Sequence, residues 1–357
     1  MKVLFITRKY PPSIGGMQLF ARDVYVALSK KTDTELIKWG GSNKYLPIVL
    51  PYFLIRASWA LLKGGIDVIH VHDGLLSPLG FVLSRIFRKP FTVEIHGLDL
   101  TYKNSLYQLV VPWAVKKADT IFCISKAAAD EVIARGSSKD KIKVIPLAVN
   151  DTIYDPSKRQ ELRQRLALKP DAKILITVGR LVKRKGAAWF IENVLPTVVA
   201  KHPKTIYVVA GGGEEQENIE IAISKAEMQK HVRLLGKIDN EYIAAVYNGA
   251  DVFVMPNLVV SGDIEGFGLV VLEAALCALP IVASALEGIK DAVTDGQNGI
   301  LVETRDVAGF MHAIDEFLGD SKYAVSFGTK SREYTLKHHQ WDTLAERYVA
   351  AYEAIRR

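Results

Sequence analysis

Short runs rich in β-branched and aromatic residues alternate with helix-length amphipathic segments along the whole of this chain. Strand candidates in the first half are Val3–Ile6, Glu35–Lys38, Val68–Val71, Phe91–Ile95, Ile121–Ile124 and Val144–Pro146. In the second half they are Ile174–Val178, Ile206–Ala210, Val232–Leu234, Val252–Met255, Ile281–Ala283 and Ile300–Val302. Helix candidates stand between them, among them Met17–Lys30, Leu75–Phe87, Ala127–Arg135, Trp189–Ala200 and Tyr242–Asn248. Such alternation predicts parallel sheets, because a parallel neighbour is reached only by a crossover, and the crossover helices cover both faces. Twelve strands in two sets of six predict an α/β protein with two doubly wound, Rossmann-like sheets rather than one. Its 357 residues, 49% hydrophobic and 24% charged, suffice for two domains of soluble composition.

The turn-rich stretch Asn150–Pro156 and the polar helix expected at Ser157–Leu168 place the linker around 147–170. An N-terminal domain is therefore drawn over 1–150 and a C-terminal domain over 151–340. A closing helix, 341–357, is expected to pack back on the N-terminal domain. Ligands bind at the carboxyl ends of the strands in such sheets. Two of them facing each other would make a cleft with a site on each lip.

One carboxylate marks where a ligand belongs. Between Phe267 and Leu286 the only charged residue is Glu273, in the middle of an apolar helix that Pro280 ends. A buried carboxylate costs several kcal/mol unless something satisfies it, and its central position argues against a membrane span. Just upstream, Glu265 is followed by Gly266 and Gly268, which let backbone approach a ligand closely. The helix beginning near Gly268 turns free N–H groups toward the same place, which suits an anion such as diphosphate. A diol such as ribose suits Glu273. The other reading is a core glutamate paired with a buried Lys or Arg.

Four more motifs fall at strand-to-helix loops: Pro11-Pro-Ser-Ile-Gly15-Gly16, His96-Gly97-Leu98-Asp99, Gly179-Arg180-Leu-Val-Lys-Arg-Lys185-Gly186 and Ala210-Gly211-Gly212-Gly213-Glu214. Glycines after a strand admit a phosphate or sugar, and cations such as Arg180 and Lys185 can neutralise a departing diphosphate. The dinucleotide fingerprint is missing after the first strand. No Asp-x-Asp ends a strand, and neither Cys123 nor Cys277 stands in metal or disulfide spacing, so no metal is expected. Both read as reduced core residues of a cytoplasmic protein, in keeping with an N-terminus that has no signal-peptide pattern.

Charge is uneven. Residues 1–150 hold 21 Lys+Arg against 11 Asp+Glu, and the remainder 25 against 28. The basic half favours an anionic partner, but its cations are scattered without a nucleic-acid-binding module, so no nucleic acid is expected. Tyr45–Leu62 is apolar apart from Arg56 and carries interface residues in Tyr45, Tyr52 and Trp59. It reads either as a helix buried against the sheet or as a surface that touches an anionic membrane at the inner face of the cell.

Taken together, Gly15-Gly16, His96–Asp99, Gly179–Gly186, Glu265 with Glu273, Asp295–Val302 and the helix after Trp341-Asp342 resemble the retaining glycosyltransferases of family 4, along nearly the whole chain. The wording of Pro11–Gln18 and Gly262–Gly268 is most similar to the lipid-acceptor mannosyltransferases of that family. The resemblance implies the two-domain GT-B fold and transfer of a hexose, of mannose or glucose type, from a nucleotide diphosphate sugar to a lipid-linked or saccharide acceptor. It implies catalytic roles for His96, Arg180, Lys185 and Glu265. Donor contacts would come from Gly15, Gly16, Arg180, Lys185, Glu265, Gly266, Phe267, Gly268, Leu269 and Glu273. In these roles Arg180 and Lys185 hold the diphosphate, Glu265 the sugar hydroxyls and Glu273 the ribose, and His96 sits by the sugar. The donor is a co-substrate, and no cofactor is implied. Two departures stand out: Ala278 replaces a usual glycine, and Glu287-Gly288-Ile-Lys290-Asp291 replaces a usual Gly-Gly-x-Pro-Glu loop. Competing readings are a nucleotide-sugar 2-epimerase, which would lack the paired glutamates, and a non-catalytic binding subunit, which would have lost His96, Lys185 or Glu265.

Overall fold

The structure, a computed structural model, describes residues 1–13 and 15–356, so Ile14 of the first glycine loop and Arg357 of the closing helix lie outside the described residues. The chain forms two compact units, Met1–Ala148 with His339–Arg357, and Val149–His338.

The first unit is a parallel sheet of β1 (Lys2–Thr7), β2 (Asp33–Lys38), β3 (Val68–Val71), β4 (Phe91–Ile95), β5 (Thr120–Cys123) and β6 (Ile142–Val144), in the order β2-β1-β3-β4-β5-β6. Strands β3, β4 and β5 are buried along their whole length, as strands covered on both faces must be. On one face the helices Leu46–Leu62, Ser77–Phe87, Ser105–Val115 and Lys126–Ala134 close a core around Phe53, Ile69, Leu83, Val93, Val111 and Ile121. The helices Gly16–Ser29 and Trp341–Ile355 pack on each other, with Phe20 5.9 Å from Trp341. Tyr348 and Tyr352 of the latter lie against Phe122 of β5.

The second unit contains β7 (Lys173–Val178), β8 (Thr205–Ala210), β9 (Val232–Gly236), β10 (Val252–Met255), β11 (Ile281–Ser284) and β12 (Ile300–Val302), all parallel, in the order β12-β11-β10-β7-β8-β9. Consecutive strands run outward in opposite directions from the β7–β10 pair, so the switch point where such sheets bind ligands lies there. In the first unit the switch lies between β1 and β3.

Several expected elements have different bounds. Trp189–Ala200 is two helices, Ala187–Asn193 and Leu195–Lys201. Pro196 has no N–H to bond a preceding turn but is at home in the first turn of a new helix, so the break falls at Val194. Ser157–Leu168 contracts to a 3₁₀ turn, Pro156–Gln160, and the helix Glu161–Arg165. Ala167, at φ 49, stops it in the left-handed region. The strand expected at Val144–Pro146 is Ile142–Val144, because Pro146 has no N–H to give a ladder. Ala278, where the resemblance expects glycine, has φ 56 and closes the helix Leu269–Leu276 in that same strained region.

Candidate active site

Three loops meet at the carboxyl ends of β7, β10 and β11. After β7 the chain runs through Gly179-Arg180 to a 3₁₀ turn, Lys183–Lys185, and Gly186 at φ 69. A Cβ on Gly186 would stand 1.9 Å from the carbonyl oxygen of Pro256. Only glycine therefore lets this backbone lie against the one leaving β10. Leu258 N donates to Arg184 O at 2.8 Å and stitches the two loops together.

That stitch sets Lys185 and Arg184 against Glu265. Oε2 of Glu265 accepts from Lys185 Nζ at 2.6 Å, from Asn257 Nδ2 at 2.8 Å and from Arg184 Nη1. Arg184 Nε also reaches Asp263 Oδ1 at 3.0 Å. From the loop after β11, the Glu287 carboxylate accepts the Glu265 backbone N–H, and Gly288 N donates to Glu265 O at 3.1 Å. Thus the departure at Glu287–Gly288 braces Glu265. Burial pushes the Glu265 carboxyl up, but the Lys185 and Arg184 cations outweigh it and hold it below its ordinary value. Burial also dominates at Lys185, whose ammonium is lowered despite Glu265 beside it. Arg180 is exposed, and no described residue pairs with its guanidinium, although its charge acts on Lys185.

Gly268, at φ 89, opens the helix Leu269–Leu276. Val271 N bonds Gly268 O at 2.9 Å, whereas the amides of Leu269 and Val270 have no acceptor among the described residues. Amides left without a partner at a helix start have the geometry that suits an anion. Gly266 joins Glu265 to the buried Phe267. Glu273 lies one turn further in, half-buried, where Tyr247 Oη donates to its Oε2 at 2.8 Å. Burial raises its carboxyl, and the tyrosine opposes this. Its partner is a hydroxyl and no described cation pairs with it, so the core-glutamate reading, which needed a buried Lys or Arg, is not what the structure contains. A recess lined by Lys173, Asp251, Cys277 and Pro280 lies at the other, amino ends of these strands.

The remaining expected residues belong to the first unit. Gly15 and Gly16 follow β1 and begin the helix Gly16–Ser29. His96, after β4, is buried, and its Nε2 donates to His72 O at 3.1 Å. Asp99 accepts the N–H groups of His96 and Gly74, at 3.0 and 2.9 Å. The partly buried Arg8 pairs with the buried Asp73 at 3.0 Å beside them. By residue type one described trio could hold a metal: His70, His72 and Glu94, with donor atoms within 4.8 Å of one another. His72 Nε2 and Glu94 Oε1 have no described partner. Glu94 Oε2 and His70 Nδ1 seat the helix Trp341–Ile355. Tyr348 Oη donates to Glu94 Oε2, and Tyr352 Oη meets His70 Nδ1, both at 3.0 Å, while His70 Nε2 meets His72 Nδ1 at 3.2 Å. Burial pushes His70 down to about 3, His72 also well down, and Glu94 well up.

A site of this build has relatives. The model of "Glycosyltransferase Family 4" matches residues 3–152, and that of "Glycosyl transferases group 1" matches 158–334. A GDP-mannose-dependent alpha-(1-6)-phosphatidylinositol monomannoside mannosyltransferase of Mycobacterium tuberculosis is 31% identical over 375 residues, covering 96% of each chain. The chain belongs to glycosyltransferase family 4. Among other relatives of this glycosyltransferase is an uncharacterized glycosyltransferase of Methanocaldococcus jannaschii, 26% identical over 99% of this chain and 98% of that one. In fold it matches HepE of Anabaena in complex with UDP, with a TM-score of 0.78 and 20% identity over 99% and 100% of the two chains. Sucrose-phosphate synthase of Thermosynechococcus elongatus has the same TM-score at 23% identity, over 99% and 98%. The α/β fold is thus that of the GT-B enzymes.

Within this glycosyltransferase, Lys185 and Glu265 are brought into direct contact. Arg180 stands beside them, and Glu273 keeps a separate place with Tyr247. Arg184, Asn257 and Tyr247 carry no signal of a role in the sequence, and Glu287 stands there only as a departure from the family's loop. Arg184 sits in Lys183-Arg184-Lys185, a run that reads as a solvated loop until the 3₁₀ turn fixes which cation faces inward.

Proposed function

We propose that this glycosyltransferase moves a hexose, of mannose or glucose type, from a nucleoside diphosphate sugar to a lipid-linked or saccharide acceptor, keeping the anomeric configuration and needing no metal. The observation that carries the reading is the cationic corner of Lys185 and Arg180 after β7, whose neighbour β10 leads into the loop that ends at the Leu269 and Val270 amides, with no described partner for Arg180 or for those amides. These groups meet a diphosphate as it gains charge, a service worth several kcal/mol where donors are preorganised. The bond from the sugar C1 to the phosphate oxygen breaks while the acceptor oxygen bonds C1 on the same face. The acceptor's proton passes to the departing phosphate oxygen. Glu273 accepts ribose hydroxyls, and Glu265 a hydroxyl of the sugar. Gly15, Gly16 and His96 keep the roles that the family resemblance gives them. The names of the relatives favour a GDP or UDP donor.

The acceptor is membrane-resident. On the helix Leu46–Leu62 one side fills the core with Val49, Phe53 and Ala57, while Ile48, Tyr52, Ile55, Trp59 and Leu62 form an exposed stripe on the other. The segment is long and apolar enough to cross a bilayer, but with its inner side built into the sheet it suits lying along one. The helix Ser77–Phe87 beside it, and Ser105–Val115 packed on that helix in turn, expose Val82, Ile86, Leu106, Leu109 and Trp113. Segments 43–63, 77–89 and 103–117 together hold nine Lys and Arg and no Asp or Glu. Each cation near an anionic surface adds about 1 kcal/mol, which favours the inner face of the cell membrane.

A screen of UDP-, GDP- and ADP-hexoses with excess EDTA, product anomers read by NMR, tests the chemistry. Transfer with retention in EDTA is expected, and inversion, or activity restored only by manganese, overturns the mechanism. Co-sedimentation with anionic vesicles at low and high salt tests the acceptor side. Failure to bind strongly anionic vesicles at low salt leaves a soluble acceptor.

A further inference from the structure

Glu265 presents an asymmetry. All three side-chain donors that reach it, from Arg184, Lys185 and Asn257, converge on Oε2, and none of the described residues donates to Oε1. Arg184 is among the most buried charged residues of the second unit, at 3% exposure. Its backbone oxygen is tied to Leu258 N and its guanidinium bridges Asp263 and Glu265. It is fixed. Lys185, on an unbranched stem, is the member of the group able to turn away.

We propose that Arg184 is a positioning residue that holds Glu265 by one oxygen, so that Lys185 can pass from the carboxylate to the donor diphosphate without stranding a buried charge. The proposal rests on the donor reading above. A buried carboxylate that loses its sole cation is strongly destabilised, so a lysine paired alone with Glu265 would resist leaving it. With Arg184 and Asn257 retained on Oε2, Lys185 moves at little cost, and Oε1 stays open toward a sugar hydroxyl. Asp263 and the brace from Glu287 keep the guanidinium and the Glu265 backbone in register.

The test is a double-mutant cycle read by binding of UDP, GDP and ADP in calorimetry, with turnover alongside. Arg184→Met should weaken binding of the preferred nucleoside diphosphate by about tenfold and lower kcat further, because Lys185 is now held by Glu265. In a Glu265→Gln background, where nothing traps the lysine, Arg184→Met should change that affinity by less than twofold. Arg184→Lys should restore most of the affinity, and it carries the comparison if the methionine variant does not fold. An equal loss in both backgrounds would mean that Arg184 touches the diphosphate itself or merely supports the fold, and would overturn the proposal. So would an unchanged affinity in Arg184→Met. Failure of the unmodified protein to bind any of the three diphosphates strikes the donor reading instead.

Discussion

At the residue scale, the two cations after β7 differ in what they do before a donor arrives: Arg180 waits in solvent, and Lys185 is paired with Glu265. Arg180→Ala and Lys185→Ala should each cut turnover several hundred-fold, about 3–4 kcal/mol, with an unchanged melting temperature for Arg180→Ala because its exposed guanidinium pairs with no described residue. Near-normal turnover at saturating donor would refute this. A second expectation concerns pH. His70 and His72 are depressed by burial, so they add stability above their unfolded value near 6.5 that is lost as pH falls toward their folded values. Each contributes a slope of roughly 1.4 kcal/mol per pH unit. Glu94 is raised and works oppositely, adding stability below its unfolded value that is lost as pH rises. Two histidines outweigh one glutamate, so urea unfolding of the first unit should show falling stability from pH 6.5 to 5, and a steeper fall in Glu94→Gln. A rise over that range would contradict the burial of neutral imidazoles. The glutamate pair was legible because a lone charge in an apolar helix demands an explanation. Arg184, Asn257 and Tyr247 were not, since each has an ordinary neighbourhood in sequence and acquires its role only across strands.

At the scale of elements, strands were the legible part. Strands buried on both faces, such as Val68–Val71, Phe91–Ile95 and Val252–Met255, announce themselves as mostly apolar runs, and their bounds and those of Ile300–Val302 in the sequence match those in the structure. Helix ends were less so, because Pro196 and the left-handed Ala167 act through backbone geometry that periodicity does not register. The helix Leu46–Leu62 shows a different limit. Its hydrophobicity said that it is apolar all round, and only the sheet beneath it tells which side is spare. Its outer stripe can be altered without loss of fold. Ile55→Ser with Trp59→Ser removes exposed side chains, where substitutions usually change stability by no more than about 0.5 kcal/mol. The pair should keep its melting temperature and its turnover on a water-soluble acceptor while losing most vesicle binding in co-sedimentation. Unchanged binding would exclude this face from the contact.

At the scale of the whole molecule, two units of similar architecture put their switch points to different uses. In the second it gathers the cations and the paired glutamates, whereas in the first it gathers Arg8, Asp73, His96 and Asp99. The helix Trp341–Ile355 belongs to the first unit although the whole of the second precedes it in the chain. Deleting residues 339–357 removes the hydroxyls that meet Glu94 and His70 and uncovers Phe122, so residues 1–148 alone should be unstable in urea and prone to aggregate. Residues 149–338 alone should unfold cooperatively, and a stable 1–148 fragment would show that the helix is dispensable. The order of synthesis follows from the same connection. A ribosome delivers Val149–His338 before the segment that completes the first sheet's cover, so the earlier-made unit is the later one to be finished. Until then its nascent face offers His70, Glu94 and Phe122 to whatever chaperone attends the exit tunnel.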